Sequence, residues 1–164
     1  MVNLFQYNTE MKFKLLIYIF SSILFFSCEQ NGNNKVSNDK EHLELLKKEI
    51  ISGKEIIRFE SIMKFDWESL IILTPYSWTE QVGKDNKIDL TSIEHFGIES
   101  RDDINLIVFL KNNKPVRVIE YPRYPGDFSN NKIEIIEKSK ANFKVELTEE
   151  TTENGKQWVR LIKQ

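Results

Sequence analysis

The chain has 164 residues, 40% of them hydrophobic, with 23 basic and 25 acidic side chains for a formal charge of −2. That length accommodates one modest domain with a real hydrophobic core and is too short to suggest two. The composition excludes a polytopic membrane protein, and the weakly acidic balance gives no general reason to bind nucleic acid or anionic lipid.

Apolar residues are unevenly placed, with 17 in the first 27 positions. Met11-Lys12-Phe13-Lys14 makes a short basic start, and apolar stretches at 15–20 and 23–26 follow it. An apolar run of about a dozen residues behind two lysines has the form of an export signal, and is shorter than the roughly 20 residues of a permanent bilayer span. Residues 1–10 read poorly as a signal beginning, so Met11 stands as an alternative start. Ser27-Cys28 comes next, and Cys28 is the single cysteine of the chain.

In these features the sequence resembles a bacterial lipoprotein precursor, whose lipobox ends in a small residue followed by cysteine. It departs from the usual box at Phe25, where Leu is customary, and at the bulky Phe26. The resemblance implies that residues 1–27 are a removed signal peptide. Cys28 would then become the first residue and carry fatty acyl groups, of the palmitate type, on its sulfur and amine. The implied partner is membrane lipid. The implied location is the cell envelope, membrane-anchored and facing the periplasm or the outer surface. The Asn, Lys and Ile richness is similar to that of small uncharacterised Bacteroidetes-type lipoproteins. Each buried methylene contributes about 0.8 kcal/mol, so two or three chains suffice for stable attachment. The mature chain would carry a charge of −3, with no thiol left for a disulfide, a nucleophile or a metal site.

Residues 28–39 are expected to be the lipidated cysteine and a flexible tether, polar throughout except for Val36. Residues 40–164 are expected to form one domain. Asn38 and Glu41 have capping-box spacing ahead of Leu43, Leu46 and Ile50, so the pattern predicts a helix over 40–51, stopped by Ser52-Gly53. The apolar residues between Ile56 and Phe65 fit either a second helix or a strand and turn. Residues 70–73 read as an internal strand ending at Thr74-Pro75. Ser77 and Glu80 again have cap-box spacing, opening a short helix that the polar stretch 83–86 ends. Residues 91–94 repeat the spacing before Gly97.

The continuous apolar run 106–110 predicts a strand buried on both faces, followed by an Asn-rich turn and a return strand at 116–121 with Pro115 at its start. Pro122, Pro125 and Gly126 enclose Arg123-Tyr124 in a rigid loop. Ile133, Ile135 and Ile136 suggest a less regular strand, whereas 143–147 alternates cleanly between apolar and charged. Asn154-Gly155 reads as a turn before a last strand bearing Trp158 and Leu161. Together these elements predict an α+β domain with one antiparallel or mixed sheet covered by one or two helices.

Reaction chemistry is sparse. His42 and His95 sit in no metal motif, and there is no phosphate-cradling glycine loop or G-x-S-x-G elbow, so no cofactor, metal or catalytic residue is selected. Two segments are candidates for binding. In the first, Asp66-Trp67-Glu68 stands at one end of the predicted strand and Pro75-Tyr76 at the other, roughly 20 Å away. Trp67 would line a cleft or close the core, and Asp66 would orient a polar group or cap a turn. This D-W and P-Y arrangement resembles small uncharacterised bacterial lipoproteins and secreted domains, a likeness that brings no biochemical role. In the second, Tyr121, Arg123 and Tyr124 are stiffened by prolines and suit recognition of an envelope protein or glycan. The expected function is a lipid-anchored envelope domain for non-catalytic binding or scaffolding. The alternative is a glycan or peptidoglycan hydrolase with paired carboxylates, Asp66 or Glu68 among them.

Overall fold

The computed structural model describes residues 35–151, 155 and 157–164. Cys28, the expected signal segment and Asn154 lie outside the described residues. In chain order the elements are helix α1 (Lys40–Ile50), strand β1 (Ile56–Arg58), helix α2 (Phe59–Ile62), strand β2 (Ser69–Leu73) and helix α3 (Thr79–Asn86). Strands β3 (Ile104–Lys111), β4 (Lys114–Pro122), β5 (Ile136–Glu137), β6 (Asn142–Thr151) and β7 (Gln157–Lys163) follow. Short 3-10 segments occupy Thr91–Phe96, Ile98–Ser100 and Lys138–Lys140.

The strands form two sheets, ordered β4-β3-β2-β5 and β1-β6-β7, with every ladder antiparallel. The single sheet with one or two helices expected from the sequence is therefore incorrect. Three α-helices and three 3-10 segments are present among the described residues. The physical reason lies in two different strand patterns. β3 carries bulky apolar side chains on both faces, so it lies at the centre of a sheet covered on both sides. β6 alternates, with Phe143 buried and Lys144 exposed, so it needs only one covered face and stacks on the first sheet rather than joining it.

Two hydrophobic layers result. Between the sheets, Leu70, Ile107, Phe109 and Ile119 meet Ile57, Phe143 and Leu161, with Leu46 and Ile50 of α1 closing one side. On the far face of the four-stranded sheet, Ile71, Leu73, Leu106 and Val108 are covered by Ile88, Leu90, Ile93 and Ile98. That cover comes from α3, the 3-10 segments and their connections. Asn112 and Asn113, with φ of +50° and +58°, make the two-residue turn between β3 and β4, a geometry asparagine tolerates well.

Helix α1 begins one residue later than the Asn38–Glu41 spacing predicts. Asp39 is its cap and accepts from the His42 amide at 3.1 Å, while Asn38 is taken by Glu120, to which its Nδ2 donates at 2.7 Å. Residues 36–39, placed in the tether by sequence, lie along the outer edge of β4. The Asp39 amide donates to the Val118 carbonyl at 2.7 Å, and the Val36 amide to that of Ser92 at 3.2 Å. An exposed strand edge is thereby covered by the chain's own lead-in. Among the described residues no helix is long and apolar enough to cross a membrane.

Phe59 joins the layers: its ring lies 5.0 Å from Phe143 in one sheet and 6.2 Å from Phe109 in the other. Truncating a buried aromatic removes transfer energy and leaves a cavity, so Phe59→Ala should lower the unfolding free energy by about 3–5 kcal/mol. Urea denaturation measures this directly, and a loss below about 1 kcal/mol would contradict the joining role.

Candidate functional site

The seven sequence-selected binding residues fall at opposite ends of the four-stranded sheet. Asp66, Trp67 and Glu68 flank the start of β2, beside the β3–β4 turn. Asp66 pairs with Lys111, and Glu68 Oε2 accepts from the Asn112 amide at 2.9 Å, so both acids hold the hairpin tip. Trp67 is only 2% exposed. Its indole donates to the Met63 carbonyl at 3.2 Å and packs edge-on against Phe109. It closes the core.

Tyr76 and Arg123 share the other end, where β2 finishes, β3 begins and β4 ends. The amides of Tyr76 and Arg123 bond the carbonyls of Arg101 and Asp103, respectively, at 3.3 and 3.2 Å. Tyr121, however, is fully buried against Phe128, with no well-formed hydrogen bond to its hydroxyl among the described residues. Burial pushes this phenol far above its ordinary value, and the nearby Gly126 backbone offsets only part of the effect. Tyr121 is a core residue.

Arg123 turns inward to a buried carboxylate. Its Nε and a terminal nitrogen donate to Asp127 Oδ2 at 2.9 and 2.7 Å, while the guanidinium carbon lies 5.8 Å from the Trp158 ring centre. The other Asp127 oxygen accepts from the Ser129 amide at 2.9 Å, its hydroxyl at 2.6 Å and Asn105 Nδ2 at 3.1 Å. Burial alone would raise the Asp127 pKa. The donors from Arg123, Ser129 and Asn105 outweigh it and hold the carboxyl below the usual range. Tyr124 packs beside Trp158 with ring centres 6.4 Å apart, and the Tyr124–Pro125 peptide is cis.

An open surface lies over α3 and the 3-10 segments. A concavity of about 520 Å³ is lined by Trp78, Thr79, Glu80, Glu94, Glu99 and Ser100 among others, and a smaller one of about 280 Å³ adjoins it. Trp78 is 71% exposed at its rim, and Tyr76, two residues earlier, is 57% exposed. Residues 74–77 form a turn closed by the Ser77 amide on the Thr74 carbonyl at 3.2 Å. Pro75 takes its second position and Tyr76 its third with φ +63°, where glycine or asparagine is usual. Ser77 closes this turn with its hydroxyl as well, so the expected Ser77–Glu80 capping box does not form. Glu99 caps α3 instead, one carboxylate oxygen accepting both the amide, at 3.0 Å, and the hydroxyl of Thr79. Gly83 lies within α3, which ends at Lys87 in the left-handed conformation.

Sequence reasoning missed Trp78 as a surface group. The available signal was its position ahead of a segment, TEQVGKDN, with only one apolar residue, which leaves a large indole little helix face to join. Among the described residues no cluster of three His, Cys, Asp or Glu side chains is placed to hold a metal ion. Comparison with family models, curated proteins and solved structures found no match.

The Asp127 carboxyl titrates lower in the folded chain than its unfolded value of about 3.9, so its contribution is complete above that pH and is lost as pH falls through the folded value. Asp127→Asn should cost about 2 kcal/mol at pH 7 and flatten the acid limb of the stability profile. Urea unfolding at a series of pH values reads both, and parallel profiles would contradict the assignment. Tyr76→Gly should leave stability unchanged or raise it by up to about 1 kcal/mol, because relief of the left-handed strain offsets the entropy cost of glycine. A clear loss in thermal unfolding would instead show that the Tyr76 ring holds the fold.

Proposed function

We propose that this chain is a lipid-anchored cell-envelope protein whose single domain, residues 40–164, binds or scaffolds a partner without catalysis. The observation that carries the anchor is the position of Cys28, the single cysteine, directly behind Ser27 at the end of a basic-then-apolar segment. Acylation of Cys28 would supply a membrane affinity that the weakly acidic chain lacks. The partner is an envelope protein or a glycan. Support for binding without turnover comes from the carboxyl groups. Each carboxyl whose pKa is displaced among the described residues is displaced downward, by hydrogen bonds or cationic neighbours.

An envelope hydrolase is the second reading, favoured by three glutamates around one concavity. Such a reaction needs one carboxylic acid kept protonated near neutral pH. Lys84 holds the Glu80 carboxyl low, and Glu99 already accepts two hydrogen bonds from Thr79. Asp66 and Glu68 are committed to the hairpin tip, away from this concavity.

Mass measurement of the mature amino-terminal peptide from membranes should find Cys28 acylated, and Cys28→Ala should abolish both the added mass and membrane retention. Recovery of unmodified Cys28 from the membrane-bound mature protein would overturn the anchor. Turnover of envelope glycans or peptidoglycan by the purified chain would overturn the non-catalytic reading.

A further inference from the structure

We infer that Tyr76 and Trp78 are a membrane-contact pair, whose rings enter the headgroup layer of the bilayer that holds Cys28 and turn the irregular cover of the domain toward the lipid; this rests on the lipid-anchor reading. Large apolar side chains exposed among the described residues are mostly scattered: Leu45 on α1, Ile51 just beyond it, Val116 on β4 and Leu147 on β6. Tyr76 and Trp78 are largely exposed and only two positions apart. Neither side chain is engaged by another ring, a cation or a hydrogen bond among the described residues. Each joins an apolar body to a polar tip, the character that concentrates Tyr and Trp at membrane–water interfaces.

The point where the chain enters the domain selects the occupant. The Val36 amide donates to the Ser92 carbonyl at 3.2 Å, and the Val36 side chain packs into the apolar layer beneath the cover. Ser92 belongs to the 3-10 segment whose Glu94 lines one concavity with Trp78. The amino-terminal side therefore joins the domain on the layer that bears the two rings. Val36 is eight positions after Cys28, a length of chain that spans at most about 29 Å. Contact through the outer face of the three-stranded sheet would put two layer spacings, roughly 20 Å, and the side chains beyond them between cover and bilayer. That uses up most of the reach, whereas contact through the cover uses little. Charges beside the rings have both signs, with Glu80, Glu94 and Glu99 lining the larger concavity and Lys84 and Lys87 the smaller. No lipid charge is selected, so partition of the rings drives the contact. The acyl chains hold the protein, and the rings set which way it faces.

The test uses the full chain isolated from membranes with 15N-labelled tryptophan and placed in phosphatidylcholine nanodiscs, with and without a lipid bearing a nitroxide beside its headgroup. Trp78→Phe identifies the Trp78 indole signal. The nitroxide should weaken that signal at least about threefold more than those of Trp67 and Trp158, and the effect should persist in about 0.5 M salt. Tyr76→Gly should halve the effect while membrane retention and the Trp67 signal stay unchanged. Equal weakening of all three indoles, none at Trp78, or an effect abolished by salt would overturn the inference. A Trp78 indole shielded from a water-soluble gadolinium chelate yet untouched by the lipid nitroxide would mark a face for a second copy or another protein, and would also overturn it. The mass of the Cys28 peptide from the same sample separates the two failures. Acylated Cys28 with an unaffected Trp78 defeats this inference alone, whereas unmodified Cys28 defeats the anchor reading and this inference with it.

Discussion

A carboxylate removed from water must be met by donors, and Asp127, 5% exposed, meets them from separate parts of the chain. Arg123 arrives from the end of β4, Asn105 from β3 and Ser129 from the same loop. The Asp127 backbone meanwhile belongs to the other sheet: its amide donates to the Val159 carbonyl and its carbonyl accepts from the Leu161 amide, each at 2.9 Å. One residue therefore pins the open end of the four-stranded sheet to the edge of β7. Gly126 makes this approach feasible, since a Cβ there would lie 2.8 Å from Leu161 Cδ1 and 3.3 Å from Ile50 Cδ1. With α1, the loop and β7 drawn this close, Phe128 can reach Phe59, Tyr121 and Phe143 and complete the layer between the sheets.

Local patterns made much of this legible. The β3–β4 hairpin follows from a fully apolar run and two asparagines, and the β6–β7 hairpin from strict alternation. What could not be read depends on partners far away in sequence. β1 pairs with β6, placing Ile57 opposite Phe143, and no local signal divides seven strands between two sheets. Two of the three cap-box readings failed for similar reasons: Asn38 is held by Glu120, and the start of α3 is capped by Glu99 while Ser77 closes a turn. At the candidate site, Trp67 and Tyr121 looked the same as surface aromatics because residue type alone does not report burial. Trp78, the exposed one, was hidden inside an apparent helix start.

The molecule divides its labour by regularity. The layer between the sheets is built from long strands, a three-turn helix and interlocked aromatic rings. The cover over the other face consists of an eight-residue helix, two 3-10 segments and tight turns, tied down by side chains from elsewhere in the chain. Short irregular cover leaves backbone corners and recesses that a long helix would fill. Tyr76 and Trp78, the largely exposed aromatics among the described residues, both occur on this cover. A rigid sheet beneath them lets the surface vary in chemistry while its position stays set.

If the chain is held through Cys28 as proposed, the seating of residues 36–39 on β4 has a mechanical consequence. A pull on that end loads the short segment first, through the Asp39–Val118 and Val36–Ser92 backbone bonds and the Asn38–Glu120 pair. Peeling the four residues away would leave both sheets intact and lengthen the leash by roughly 14 Å at full extension. Asp39, capping α1 and bonded to His42, is where such peeling would meet the folded body. Under such an anchor the segment would act as slack, held on β4 by few bonds compared with the ladders of the core.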